Sequence, residues 1–216
     1  MKRKRSDESY KRKRKLIRPL PFFIIVCEGE VTEDDYFKSF PYYHSLGYGV
    51  FSHKAVHVEA GAGQHMKVVE KAELVYKKYC KEFGAIRPAE VWCVFDCDND
   101  LESLIKAVKL AGKKGFNAIY SIQCFELWYV LHFQNLTSSI DKREYDRKIS
   151  NALKIEYTHG TRGMYELLKS SQDQAINMAE RIWSEKNQQG KSFEEPITNV
   201  HKLVVALNDA FVKLKK

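Results

Sequence analysis

The chain reads as an open, mainly parallel α/β sheet covered by helices on both faces, with a helical extension at its C-terminal end. Three observations predict this. Short apolar runs of strand length, at Phe22–Cys27, 90–95 and Asn117–Ile122, alternate with longer stretches of helical period. Phe22–Cys27 and, within the second run, 91–95 are continuously apolar, as strands covered on both faces are. Beyond residue 122 the strand signal stops and helical patterns alone follow.

Each element has its own local signature. After the run Phe22–Cys27, Thr32 is placed to cap a helix whose first turn carries Glu33, Asp34 and Asp35 and whose inward face is Tyr36, Phe37 and Phe40. Residues 50–58 alternate as a second strand, and Ala60-Gly61-Ala62-Gly63 makes a flexible turn. Met66–Phe83 follows as a helix with Val69, Leu74 and Val75 on its apolar side. After the strand at 90–95, residues 101–114 form a helix with Leu101, Leu104, Ile105 and Val108 inward. Past the strand Asn117–Ile122 come a short, densely apolar helix at 125–133, a charged helix face at 141–148, and helices at 164–186 and 200–214. Ala175, Met178, Ala179, Ile182 and Trp183 form one stripe. The organisation expected is a basic segment at 1–18, an α/β core at 19–133 and a helical extension at 134–216 packed on it. Crossovers between parallel strands are right-handed as a rule.

Two of the apolar runs end in carboxylates. Cys27 is followed by Glu28-Gly29-Glu30-Val31-Thr32-Glu33, and Phe95 by Asp96-Cys97-Asp98-Asn99-Asp100. Ligands of open parallel sheets bind just past the carboxyl ends of strands, so Glu28, Asp96 and Asp98 are expected around one small volume. Carboxylates crowded there repel one another, and a hard divalent cation relieves the repulsion. The plainer reading, that each carboxylate caps a helix or forms a turn, stands beside it. An EF-hand is excluded, because positions six and twelve counted from Asp96 are Leu101 and Ala107 rather than Gly and Glu. Gly61-Ala62-Gly63 lacks the third glycine of a dinucleotide fingerprint and the lysine of a P-loop, which leaves a phosphate nest beside His65 as its functional alternative. Glu126 opens an apolar helix, where it either caps the helix or faces the carboxylate site. His132 is either a hydrogen-bonded core histidine or a catalyst. The loop Thr158-His159-Gly160-Thr161-Arg162-Gly163 carries basic groups suited to phosphate.

The net charge of +8 is localised. Ten Lys or Arg and two acids fall within residues 1–18, leaving 26 bases balanced by 26 acids. A block such as Lys11-Arg12-Lys13-Arg14-Lys15 neutralises nucleic-acid phosphates without choosing a sequence. No apolar run approaches the ~20 residues of a membrane helix, and the basic start lacks a signal segment, which predicts a cytoplasmic protein without a membrane partner. The five cysteines suit reduced, buried thiols, and no pair of Cys spacings suggests zinc.

Four blocks resemble the RloB-like family. They are Ile24-Ile25-Val26-Cys27-Glu28-Gly29-Glu30-Val31-Thr32-Glu33 with Tyr36-Phe37, Val94-Phe95-Asp96-x-Asp98-x-Asp100, Cys124-Phe125-Glu126-Leu127-Trp128 with Leu131-His132-Phe133, and Thr198-Asn199-Val200-His201-Lys202-Leu203. The resemblance implies a Toprim/Rossmann-like core and a Mg²⁺-dependent (or Mn²⁺-dependent) nuclease acting on DNA or RNA. It also implies a bacterial defence, restriction or abortive-infection setting, with a second defence protein as a further partner. In that pattern Glu28, Asp96 and Asp98 are catalytic and, with Asp100, hold the metal. Glu30, Glu33, Glu126 and His132 support them, and Glu28 is the candidate general base or acid. The alternative is a noncatalytic nucleic-acid- or nucleotide-binding sensor or accessory subunit.

Overall fold

The computed structural model describes residues 22–44, 56–83, 89–97 and 100–215. The basic segment with Lys11, Arg12, Lys13, Arg14 and Lys15, most of the expected strand at 50–58, and Asp98 with Asn99 lie outside the described residues. The sheet has four parallel strands, β1 (Phe22–Cys27), β2 (Val56–Glu59), β3 (Ala89–Cys97) and β4 (Asn117–Ile122), in the order β2-β1-β3-β4. This is the open parallel α/β sheet, with helices on both faces, that the sequence predicts. The chain leaves β1 for the β2 edge, then passes back across β1 to β3. Connections therefore depart in opposite directions after β1 and β3, and the crevice between those two strands is the switch point of the fold.

Pleat alternation divides the core into two layers. Ile24, Val26, Val91, Cys93 and Phe95 pack against α3 (Met66–Phe83) and α4 (Leu101–Lys113), through Val68, Val69, Ala72, Leu104, Ala107 and Ala111. Leu74 and Leu101, expected inward, are exposed instead. At 100° per residue Leu74 lies on the opposite side of α3 from Ala72, and the buried row of α4 begins one turn in, at Leu104.

On the other face Phe23, Ile25, Cys27, Trp92 and Val94 meet α1 (Thr32–Lys38) and α5 (Glu126–Val130). The same buried cluster continues without a break into α6 (Lys142–Leu153), α7 (Met164–Leu168), α8 (Gln172–Gln188) and α9 (Val200–Leu214); the short α2 is Pro41–His44. The single helix expected at 164–186 is broken by a 3₁₀ turn at Lys169–Ser171, where Ser170 and Ser171 lower helix propensity. Thr32 is not the cap of α1: Val31 occupies that position and no side chain caps the helix. Among the described residues no helix is long and apolar enough to cross a membrane.

The block Thr198-Asn199-Val200 has a structural role that its sequence did not disclose. It lies along the open edge of β4, with an antiparallel bridge between Ser121 and Thr198. Ile122 donates to Ile197 O at 2.9 Å, and Asn199 N donates to Tyr120 O at 3.1 Å. The Asn199 side chain completes the strip, accepting from Tyr120 N at 2.6 Å and donating to Ala118 O at 3.0 Å. Asn199→Ala strands a backbone donor and an acceptor, and should cost about 2–4 kcal/mol in urea denaturation with an unchanged m-value. A loss below about 1 kcal/mol would mean that water replaces both bonds.

Candidate functional site

β1 delivers Glu28 to the switch point. Although the strand ends at Cys27, Glu28 N still donates to Val94 O at 3.1 Å, so its backbone stays fixed to β3. Gly61 N donates to Gly29 O at 3.0 Å and Ala62 N to Cys27 O at 3.2 Å, zipping the turn after β2 onto the turn after β1. Those amides are committed to the fold, so the phosphate nest considered from sequence is not what they make. The turn instead delivers His65, which takes positive φ (30°) and is almost fully buried. His65 N donates to Glu28 Oε2 at 3.4 Å, its Nε2 lies 3.9 Å from the same oxygen, and Nε2 donates to Asp96 O at 2.9 Å. One residue thus braces both strand ends, its backbone amide at Glu28 and its ring at the Asp96 carbonyl.

Asp96 shares the pleat side of Trp92 and Val94, toward α1 and α5. On that side lie two buried carboxylates, Glu33 and Glu126, each 2% exposed. Glu33, in the first turn of α1, folds back to accept from Gly29 N at 3.4 Å. A Cβ at residue 29 would collide with its carboxylate, so any larger residue there displaces Glu33 from this position. Burial pushes the Glu33 pKa up, and the neighbouring Glu126 charge adds to the rise. Burial is the largest single influence on Glu126 and raises it, but the hydrogen bond and charge of His159, with hydrogen bonds from the Glu126 backbone and Cys124, together hold this carboxyl below its ordinary range. Glu126 Oε1 accepts from His159 Nδ1 at 2.7 Å and from Tyr157 OH at 3.0 Å. Glu126 opens α5, and its own backbone N–H is among the groups that hold its carboxyl low. Neighbouring carboxyls driven in opposite directions are a mark of functional sites. The local negative charge also reaches the thiols: burial, then Glu33, Asp34 and Asp96, raise Cys27 well above its usual pKa.

The remaining candidates are dispersed. Asp100 caps α4, accepting from Ser103 N at 3.0 Å. Glu30 is exposed, with its stem against Gly61. His132 is buried, donates through Nδ1 to Trp128 O at 2.9 Å, and packs edge-on against the Trp128 ring. Since a carbonyl only accepts, the proton is on Nδ1, and burial lowers the His132 pKa to about 4, favouring this neutral form. Glu28 and Asp96 are oxygen donors of the kind that hold Mg²⁺ or Mn²⁺. Among the described residues no group of three or more His, Cys, Asp or Glu stands ready as a ligand set, and Asp98 lies outside them.

Sequence reading alone did not place His65 or Tyr157, and it gave His159 only as part of a loop suited to phosphate, without its bond to Glu126. For His65 the local signal was the Gly61-x-Gly63 turn leading into α3.

No curated protein and no solved structure matches the chain. The family described as RloB-like protein matches residues 23–207, from the first residues of β1 into α9. That span takes in the sheet, the braced carboxylates and the strip on the β4 edge, and the chain belongs to the RloB-like family.

Proposed function

We propose that the protein is a Mg²⁺- or Mn²⁺-dependent nuclease that hydrolyses phosphodiester bonds of DNA or RNA, built on a Toprim-like core and serving a bacterial defence system. The observation that carries this reading is the position of Glu28 and Asp96. They stand at the carboxyl ends of β1 and β3, the two strands that flank the switch point where open α/β sheets bind ligands. The ion would be held by Glu28 and Asp96, with Asp98 and Asp100 following on the same segment. When bound, it polarises the phosphoryl oxygen and lowers the pKa of the attacking water.

The chain's own groups do the rest. His65 donates its backbone N–H to Glu28 and its ring N–H to the Asp96 carbonyl, which fixes the ends of β1 and β3 relative to each other. Glu28 is the group expected to take the proton from water. The basic stretch Lys11 to Lys15 supplies phosphate neutralisation to a nucleic-acid partner.

The test is cleavage of a mixed panel of labelled DNA and RNA with Mg²⁺, with Mn²⁺ and with EDTA. Cutting is expected with either metal and none with EDTA. A well-folded protein that cuts nothing under any condition would favour the noncatalytic binding subunit instead.

A further inference from the structure

A cavity of about 580 Å³ opens beside Glu126, bounded by the N-terminal end of α6 and the loop that carries His159. Its wall combines a buried acid with exposed bases. Glu126 Oε1 is occupied by Tyr157 and His159, so the His159 ring is held by its Nδ1 and has only Nε2 left to offer a ligand. The His159 side chain is 68% exposed although its partner is buried, so the ring projects from the protein toward solvent. Lys142 and Arg143 enter the same cavity from the first turn of α6. The Arg143 guanidinium makes no ion pair among the described residues, whereas its neighbour Arg147 is paired with Glu144 at 2.6 Å.

We propose that this cavity binds a phosphate-bearing nucleotide unit, its phosphate held by His159, Lys142 and Arg143, with Glu126 as the positioning residue for His159.

Three acids share the wall, and each is accounted for. Glu126 is committed to His159 and Tyr157. Asp141 caps α6 by accepting from Arg143 N at 2.9 Å. Asp146 is partly buried, and burial and then the Glu126 charge raise its pKa. The hydrogen bond to Glu126 raises His159, favouring the imidazolium that binds phosphate best.

A second observation points past bare phosphate to a nucleotide. Glu126 Oε2 is buried and has no hydrogen-bond partner among the described residues, an expensive state for a carboxylate oxygen. A sugar hydroxyl or a base N–H of the same ligand would satisfy it. The cavity also adjoins the carboxylate site: Gly163 N donates to Asp35 Oδ2 at 2.7 Å and fastens the His159 loop to α1, the helix of Glu33. The choice of a nucleic-acid strand over a free nucleotide as the source of that phosphate rests on the nuclease reading. The site itself does not.

The experiment is an NMR titration in EDTA, reading the His159 ring and the amides of 141–146. The probes are a 5′-phosphorylated thymidine dinucleotide and thymidine monophosphate. Both sets of signals should move, and His159→Gln and Arg143→Gln should each weaken binding by about tenfold. Arg143 is exposed, and the Gln amide in His159→Gln can still donate to Glu126 Oε1, so both variants should fold as the wild type does, and circular dichroism checks that. Tighter binding of the dinucleotide supports the strand as source. Equal or tighter binding of the mononucleotide keeps the site and assigns it to a free nucleotide. Unmoved His159 signals, or unchanged affinity in His159→Gln, would overturn the proposal. Because EDTA silences metal-dependent cutting, the outcome is independent of whether the nuclease reading holds.

Discussion

Asp96→Asn should leave a folded protein whose metal-dependent turnover has dropped by about three orders of magnitude or more. The substitution keeps the size and shape of the side chain and removes its charge. The backbone of residue 96 stays paired with Ser121 in the ladder, and its carbonyl still accepts from His65. The structural cost is therefore small. A residue serving only the fold would show the reverse pattern, with melting lowered and turnover per folded molecule kept. Glu28→Gln should behave in the same way, since an amide oxygen can still accept from His65 N. Initial rates in Mg²⁺ set beside melting temperatures decide the matter. An Asp96→Asn protein keeping more than about a tenth of the wild-type rate would remove Asp96 from the reaction.

The strands were legible because a buried parallel strand needs only a short apolar run, and β1 and β4 begin and end where such runs do. Glu28 and Asp96 were legible for the same reason: they sit at the ends of those runs, so finding the strand finds the carboxylate. What lay hidden depends on contacts distant in sequence. Nothing near Glu126 announces Tyr157 and His159, which come from a loop 31 and 33 residues away. Nor does the turn before α3 reveal that His65 reaches across to the end of β3. Asp100 shows the opposite case, in which the local rule wins and a carboxylate after a strand caps the next helix. Leu74 and Leu101 mark the limit of periodicity, which gives a helix's apolar residues but leaves open which of them the neighbouring layers cover.

Tyr36→Ala should cost about 3–5 kcal/mol and lower the melting temperature by about 10 °C. Tyr36 is fully buried, and its ring centroid lies 5.5 Å from that of Phe37, 5.6 Å from Phe40, 5.7 Å from Phe125, 6.5 Å from Trp128, 5.7 Å from Tyr129 and 5.6 Å from Tyr165. These rings belong to α1 and its C-terminal flank, to α5 with the residue before it, and to α7, so one side chain ties the first helix after β1 to the helical extension. The six contacts are not additive, because they share one cavity once the ring is gone, and the cost follows the volume left unfilled. Tyr36→Phe separates ring from hydroxyl. It keeps every aromatic contact and removes an oxygen directed toward Trp128 and Gln172, and should change stability by no more than about 1 kcal/mol. The shape of the transition carries the architectural point. If the extension folded as a unit of its own, losing Tyr36 would separate its melting from that of the sheet and give two steps. Because the ring is buried against both, and the surrounding cluster runs from β1 to α9, a single cooperative step at lower temperature is expected in calorimetry. Glu33 lies one turn before Tyr36 on the same helix, so the variant should also lose turnover below its melting temperature as the carboxylate packed on Gly29 loses its fixed position.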